Sequence, residues 1–121
     1  MRKMREPRRG YIDGIVTVYK NKAENRTSFN AVNNAVTMDD LDKIVALRYN
    51  IESKRASDVE FAEAHEKTLS LKVSTPLFKK VEALQYAVTN GVLYTLYNVD
   101  FDDHEDRMYL YMEKVRDLSD G

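Results

Sequence analysis

Cysteine is absent from the 121 residues of this chain, which excludes disulfides, thiolate zinc sites, redox pairs and cysteine nucleophiles. The four glycines are too scattered for a Gly-rich phosphate cradle of the dinucleotide or P-loop type. The two histidines, His65 and His104, fall in no HExxH or nucleophile-base arrangement. The sequence therefore favours a protein that is not an enzyme, with no catalytic residue, cofactor or metal.

Long apolar runs are absent as well. Runs such as 44–47 are far shorter than the roughly 20 residues that span a bilayer, so no membrane association is expected. No apolar stretch of the signal-peptide kind follows the basic start, so we interpret that start as mature protein; a chain without cysteine fits the cytoplasm. With 43% apolar and 10% aromatic residues, the composition indicates one folded domain.

The net charge of −1 is unevenly distributed along the chain. Residues 1–10 carry five cations against Glu6, a local charge of +4, which leaves −5 for the other 111 residues. We divide the chain into a basic arm (1–10), a single domain (11–118) and a short tail (119–121). The arm is either solvated, or pairs with an acidic surface of a neighbouring subunit or with a phosphate backbone. Its cations are Arg2, Lys3, Arg5, Arg8 and Arg9.

The first half of the chain contains one clear strand and one ambiguous region. Residues 11–20 are rich in β-branched and aromatic residues with apolar side chains on both faces, which predicts a strand. Residues 21–34 are polar and aperiodic, which indicates a long loop or an irregular strand. Residues 39–66 fit two patterns: one long helix, or a strand near 45–51 followed by a helix over about 54–65. Ser57 and Glu60 match a capping box for that helix without fixing its start.

The second half predicts antiparallel strands. Residues 69–74 alternate apolar and polar side chains, which indicates a half-buried strand that stops at Thr75-Pro76. Asn90-Gly91 between two apolar runs is the signature of a hairpin with a type I′ turn. A second hairpin follows, with residues 101–106 as its loop and 108–115 as the returning strand. Because strands of one short chain must cover their edges, we expect a mainly β fold, a small antiparallel barrel-like sheet with one short helix between strands.

Three features can be compared with known binding and catalytic chemistry. The acidic run 100–106 lacks the glycine and glutamate positions of an EF-hand loop, so it favours a solvated turn over a metal site. Glu60 and Glu63 at helical spacing are more typical of a solvated helix face than of acid-base catalysis. The tyrosines of the predicted sheet suit a core and a protein interface better than base stacking, because few cations accompany them.

The arrangement of the chain resembles the head-closure proteins, also called head-tail joining or connector proteins, of long-tailed bacteriophages. The similarity begins with YIDGIVTVY (11–19), continues through VALRY (45–49) into SKRASDVEFA (53–62), and reaches LSLKVSTP (69–76). It ends with YAVTNGVLYTLYNVDFD (86–102) followed by MYLYMEKV (108–115). The polar stretch before Met38 and the basic start depart from many relatives, so the resemblance assigns them no role.

The resemblance implies a structural protein of a phage or prophage virion. Such proteins form a homo-oligomeric ring below the portal and adaptor, close the DNA-filled head and receive the tail; DNA passes through the channel without sequence-specific binding. The implied partners are an adaptor or portal-vertex protein and a tail-completion protein, and the implied location is the virion, or the host cytoplasm during assembly. The chain alone is compatible with a monomer. The resemblance also favours strand followed by helix for residues 39–66.

Carried onto this chain, the resemblance makes residues 53–66 the segment that faces the channel, and their polar side chains suit a segment that changes conformation at small cost. Those side chains belong to Ser53, Lys54, Arg55, Asp58, Glu60 and Glu63. The basic arm of one subunit could then meet Asp100, Asp102 and Asp103 of another. Two alternatives remain: a tail-completion protein of the same joint, and a small sheet-based module that binds single-stranded nucleic acid.

Overall fold

The computed structural model of the chain describes residues 10–22 and 37–118 and is mainly β, as predicted. Six strands pair antiparallel in the ring order β1-β2-β3-β6-β5-β4, so that β4 pairs back with β1 and closes the ring. The strands are β1 (Gly14–Asn21), β2 (Leu41–Ile51), β3 (Leu71–Pro76), β4 (Tyr86–Thr89), β5 (Val92–Asp102) and β6 (Arg107–Asp117). The α-helix of the described residues, α1 (Ala56–Ala64), lies between β2 and β3.

The main core fills the inside of the strand ring. Alternate residues of each strand point inward, since successive side chains of a strand face opposite sides of a sheet. Fully buried apolar side chains of this kind contribute about 1.5 to 3 kcal/mol each. The inward side chains with no exposed surface include Val16, Val18, Val73, Leu96, Met108, Leu110 and Met112.

Two smaller apolar clusters lie on the outside of the ring. In the first, Leu41 packs against Tyr86 and Leu93. In the second, Ala62 of α1 and Leu69 pack against Tyr111 of β6. Both faces of the sheet are therefore covered over part of the ring, and the tyrosines contribute mainly to these outer layers.

The ambiguous region 39–66 is a strand followed by a helix, and the single long helix is wrong. In β2, Val45 and Leu47 lie opposite Val18 and Val16 of β1, which uses the period of two in the sequence. Asp39 and Asp40 belong to a 3₁₀ turn, Met38–Asp40, in which Asp40 Oδ2 accepts a hydrogen bond from Thr37 N at 3.0 Å.

Strand β3 differs from its predicted half-buried form. Lys72 and Ser74, on the face expected to be solvated, are only 4% and 1% exposed. These two side chains are buried because the segment that contains α1 packs over the outer face of β3. The strand also includes Pro76, which pairs with Arg107 at the end of the ladder with β6.

The first predicted hairpin is confirmed. The second hairpin is also present, but its loop is shorter than the predicted 101–106. Asn90 and Gly91 have φ angles of 51° and 73°, the two positive values that a type I′ turn requires. In the second hairpin, Phe101 still belongs to β5 and pairs with Met108. The turn consists of the 3₁₀ residues Asp103–Glu105 and of Asp106. The predicted loop or irregular strand at 21–34 lies almost entirely outside the described residues, as do the basic cations and the tail 119–121.

Gly14 allows an aromatic ring to lie directly on strand β1. A Cβ atom at this position would lie 2.8 Å from the hydroxyl oxygen of Tyr49, closer than real Cβ atoms approach other atoms. The Tyr49 hydroxyl in turn forms a 3.0 Å hydrogen bond with Thr89 Oγ1 inside the core. Glycine therefore lets one buried tyrosine connect β2 to β4 across the ring.

The two ends of the ring carry different residues. At the end where β1 begins, called here the entry end, Gly14 pairs with Tyr49 near the end of β2. At the opposite end, called the far end, Tyr19 pairs with Tyr86 at the start of β4. Strand β5 is antiparallel to β4 and so runs in the same direction as β1, which brings the acidic turn after β5 to the far end.

Candidate interaction surfaces

Helix α1 is fixed to the outer face of the sheet by a buried ion pair. Lys72 Nζ of β3 lies 2.8 Å from Asp58 Oδ2 of α1, and the two side chains are 5% and 9% exposed. Burial alone would raise the pKa of Asp58, but hydrogen bonds from Lys72 and the Arg55 backbone, with the charges of both residues, lower it below 3.8. The carboxylate is thus held ionised under the helix.

The rings of two tyrosines surround the ammonium group of this pair. Lys72 Nζ lies 5.4 Å from the centre of the Tyr111 ring and 5.5 Å from that of Tyr109. A cation near an aromatic face is stabilised by the ring quadrupole, more strongly where water is excluded. The pair and the two rings therefore act as one layer between α1 and the sheet.

Both ends of α1 are capped by local hydrogen bonds, though not by the predicted capping box. Asp58 Oδ2 accepts from Arg55 N at 2.9 Å, so the acidic member of the N-terminal cap is Asp58 and the Ser57-Glu60 assignment is wrong. At the other end, Lys67 N donates to Ala62 O at 2.8 Å and Glu66 N to Glu63 O at 3.0 Å. This is a Schellman motif, with Glu66 in the left-handed conformation at a φ of 60°.

The chain on either side of α1 is tied to the sheet as well. Before the helix, Glu52 N donates to Lys72 O at 2.8 Å, and Glu52 Oε2 accepts from Ser74 Oγ at 2.6 Å. After the helix, Thr68 N donates to Glu113 Oε2 at 2.9 Å. The segment 52–70 is therefore attached at its start, middle and end.

The residues expected to face a channel are placed in two environments. Five of them lie on the solvent side of the segment, namely Ser53, Lys54, Arg55, Glu60 and Glu63. Asp58 lies underneath, in the ion pair with Lys72. The segment expected to face the channel therefore has one of its charges, Asp58, paired with the sheet instead. Lys72 was missed by sequence reasoning, since nothing in an alternating strand distinguishes a covered lysine from a solvated one.

The acidic turn at the far end is partly neutralised within the chain. Asp103 Oδ1 lies 2.6 Å from Lys79 Nζ, and Asp102 Oδ2 lies 4.0 Å from Arg107 Nε. Asp100 is exposed on the last part of β5. Among residues 10–22 and 37–118, no group of three or more His, Asp or Glu side chains is arranged to hold a metal ion.

The tyrosines of β4 to β6 do not form an open stacking platform. Tyr86 and Tyr111 are 5% and 7% exposed, and burial raises the pKa of Tyr111 to about 12. Burial also raises the pKa of Tyr94 and of Tyr97. The cations near these rings are paired with carboxylates: Lys72 with Asp58, Lys114 with Asp117 at 3.1 Å, and Arg107 with Asp102.

No protein-family model, curated protein or solved structure gives a significant match to this chain. In the part of the chain that the structure describes, no helix is long and apolar enough to cross a membrane.

Proposed function

We propose that this chain is a structural virion-assembly protein that joins a phage head to its tail. In this proposal it forms a ring below the portal and adaptor, closes the DNA-filled head and provides the docking surface for the tail. The resemblance of residues 11–118 to head-closure proteins suggests this function, and the barrel-like fold with one short helix between strands is compatible with it.

The observation that carries the proposal is the polarity of the strand ring. The basic residues 2–9 precede Gly10, which is at the entry end, where Gly10 O accepts from Asn50 Nδ2 at 3.2 Å. The acidic turn lies at the far end. An acidic turn at one end, with the basic sequence 2–9 attached at the other, favours contacts between unlike surfaces, which is the type of contact that builds rings.

Two other functions are weighed against this one. The first is a tail-completion protein, which would act on the other side of the same joint. A module for single-stranded nucleic acid would need tyrosines and cations free to contact bases and phosphates, whereas Tyr86 and Tyr111 are buried here and Lys72 is paired with Asp58. We therefore propose the nucleic-acid function only as the alternative that an experiment must exclude.

The first test is to sequence the DNA that flanks the gene. We expect capsid, portal and adaptor genes on one side and tail genes on the other, because phage structural genes are commonly grouped. The second test is complementation, in which extracts lacking this protein should contain filled heads and free tails that join when the pure protein is added.

A titration with a labelled oligonucleotide separates the two classes of function. A nucleic-acid module should bind it with an affinity that falls steeply as salt rises, whereas a connector should show no such binding at physiological salt. Flanking metabolic or RNA-processing genes together with salt-dependent binding would contradict the assembly function. Extracts without the protein that still produce joined particles would contradict it as well.

A further inference from the structure

An exposed leucine in a strained backbone conformation stands at the far end of the ring. Leu84, in the connection between β3 and β4, is 82% exposed and has a φ of 75°. A bulky residue rarely adopts the left-handed region, and a large apolar side chain on a surface loses favourable burial. Leu84 thus combines an unfavourable backbone conformation with an exposed apolar side chain.

The conformation of Leu84 is held from both sides. Leu84 N donates to Leu96 O at 2.7 Å, and Leu96 N donates to Gln85 O at 2.9 Å. The Gln85 side chain, which is buried, accepts from Glu82 N at 2.9 Å and donates to Lys80 O at 3.2 Å. Strained positions persist when their surroundings over-determine them, and they are concentrated at functional sites.

The entry end presents exposed apolar side chains of its own. Ile12 is 79% exposed and Ile51 is 57% exposed. Ile12 N donates to Asn50 Oδ1 at 2.8 Å, and Ile51 N donates to Asp13 Oδ2 at 2.7 Å, so the backbones of these two isoleucines are fixed side by side. Each end of the ring therefore has exposed apolar side chains whose backbone is fixed by hydrogen bonds.

We infer that copies of this chain associate through unlike ends, with Leu84 of one copy packed against Ile12 and Ile51 of the next. This inference rests on the proposed ring and specifies its subunit contact. One copy cannot bring its own far and entry ends together, so the contact requires a second copy. Contacts between different surfaces of identical subunits close into rings when the rotation between neighbours permits.

Charge supports the same pairing of ends. The described residues at the far end carry nine carboxylates against six cations, a net formal charge of −3. The carboxylates are Asp39, Asp40, Asp42, Glu82, Asp100, Asp102, Asp103, Glu105 and Asp106, and the cations are Lys20, Lys22, Lys43, Lys79, Lys80 and Arg107. At the entry end the described part of the chain begins at Gly10, and residues 2–9, which precede it in the sequence, have a formal charge of five cations minus Glu6, or +4. Packing unlike ends would place the acidic far end of one copy next to the end of another copy at which the basic sequence 2–9 is attached, whereas packing two far ends would bring like charges together.

The absence of cysteine from the chain allows a direct test by cross-linking. Leu84→Cys and Ile51→Cys variants are purified separately, mixed in equal amounts at high concentration and oxidised. We expect the mixture to give a disulfide-linked dimer of one copy of each variant, in about tenfold excess over the dimers that either variant forms alone. Val59→Cys, on the outer side of α1, is the matched control because Val59 is 38% exposed but belongs to neither end.

Three results would overturn the inference. They are equal cross-linking of Leu84→Cys with itself, equal cross-linking of Ile51→Cys with itself, and a mixture that gives no more dimer than the Val59→Cys control. Complementation with Leu84→Asp separates this inference from the proposed function. If the wild-type protein joins heads to tails and Leu84→Asp does so equally well, the connector function stands and the contact is wrong; if neither does, the function itself fails.

Discussion

At the scale of single residues, Asp58 and Lys72 show how two buried charges fix a helix to a sheet. Taking both charges out of water is costly, and their 2.8 Å contact offsets the cost only while both are present. Removing one partner leaves the other charge buried without compensation, which in proteins costs about 3 to 5 kcal/mol. The pair therefore makes the position of α1 sensitive to a single substitution.

We predict that Asp58→Asn lowers the free energy of unfolding by about 3 kcal/mol at neutral pH, because Lys72 is left buried and unpaired. Asparagine can still accept from Arg55 N, so the helix cap is preserved. The double variant Asp58→Asn with Lys72→Met should be more stable than Asp58→Asn alone. Urea denaturation of the three proteins measures this, and a double variant less stable than Asp58→Asn would contradict it.

The same pair predicts a dependence on acid. Because the pKa of Asp58 in the folded state lies below 3.8, its stabilisation is complete above that value and is lost as the pH falls through the lower folded-state pKa. The stability difference between wild type and Asp58→Asn should therefore be constant near neutrality and shrink in strong acid. A difference that already shrinks above the ordinary carboxyl pKa would contradict the assigned direction.

A third residue-scale prediction concerns Gly91. Nothing lies within 4 Å of a Cβ built at this position, so only the positive φ of 73° opposes a side chain. Gly91→Val should destabilise the domain by about 1 to 2 kcal/mol, whereas Gly91→Asn, which tolerates this conformation, should cost clearly less. Denaturant midpoints check this, and an unchanged midpoint for Gly91→Val would remove the type I′ assignment.

At the scale of elements, helix α1 illustrates how the end of a short helix is set by one left-handed residue. Glu66 occupies the position where glycine is most common, since glycine has no Cβ to clash in this conformation. The Schellman hydrogen bonds of Glu66 and Lys67 hold it there.

We predict that Glu66→Gly stabilises the protein by about 0.5 to 1 kcal/mol, because relief of the left-handed strain exceeds the added entropy of the unfolded chain. Glu66→Ala removes the same carboxylate without relieving strain, so it should give no gain and serves as the control. Thermal unfolding of both variants makes the comparison, and a Glu66→Ala variant as stable as Glu66→Gly would refute the explanation.

Element-scale patterns also explain which parts of the fold could be predicted. The hairpin at Asn90-Gly91 depends on local turn chemistry, so the sequence identifies it. Residues 41–51 fit both helix and strand periods, and only the pairing of Val45 and Leu47 with β1 decides between them. The burial of Lys72 is equally invisible in sequence, because the carboxylate that pairs with it lies on a different element.

At the scale of the whole molecule, the outer clusters make the fold sensitive to alkali. Burial raises the pKa of Tyr111 from 10.0 to about 12, with the negative charges of Asp58 and Asp100 adding to it. The neutral phenol is thus favoured in the folded state, so its contribution to stability is complete below pH 10.0 and is lost as the pH rises towards 12.

We predict that urea midpoints of the wild type fall as the pH rises from about 9 to about 11.5, and that they fall less for Tyr111→Phe. The phenylalanine keeps the ring in the outer cluster but cannot ionise. Tyr11→Phe is a suitable control, since it removes a phenol from a residue outside the outer cluster around α1. Equal alkaline loss in wild type and Tyr111→Phe would show that burial of Tyr111 does not determine this sensitivity.

The β class, the hairpin turn and the uneven charge can be predicted from the sequence, because each depends on composition or on neighbours along the chain. Three other features follow only from the folded chain: β1 pairs with β4, Lys72 is covered, and Leu84 and the acidic turn lie opposite Ile12 and Ile51. These features depend on contacts between residues far apart in the chain, and a local pattern does not contain the identity of its distant partner.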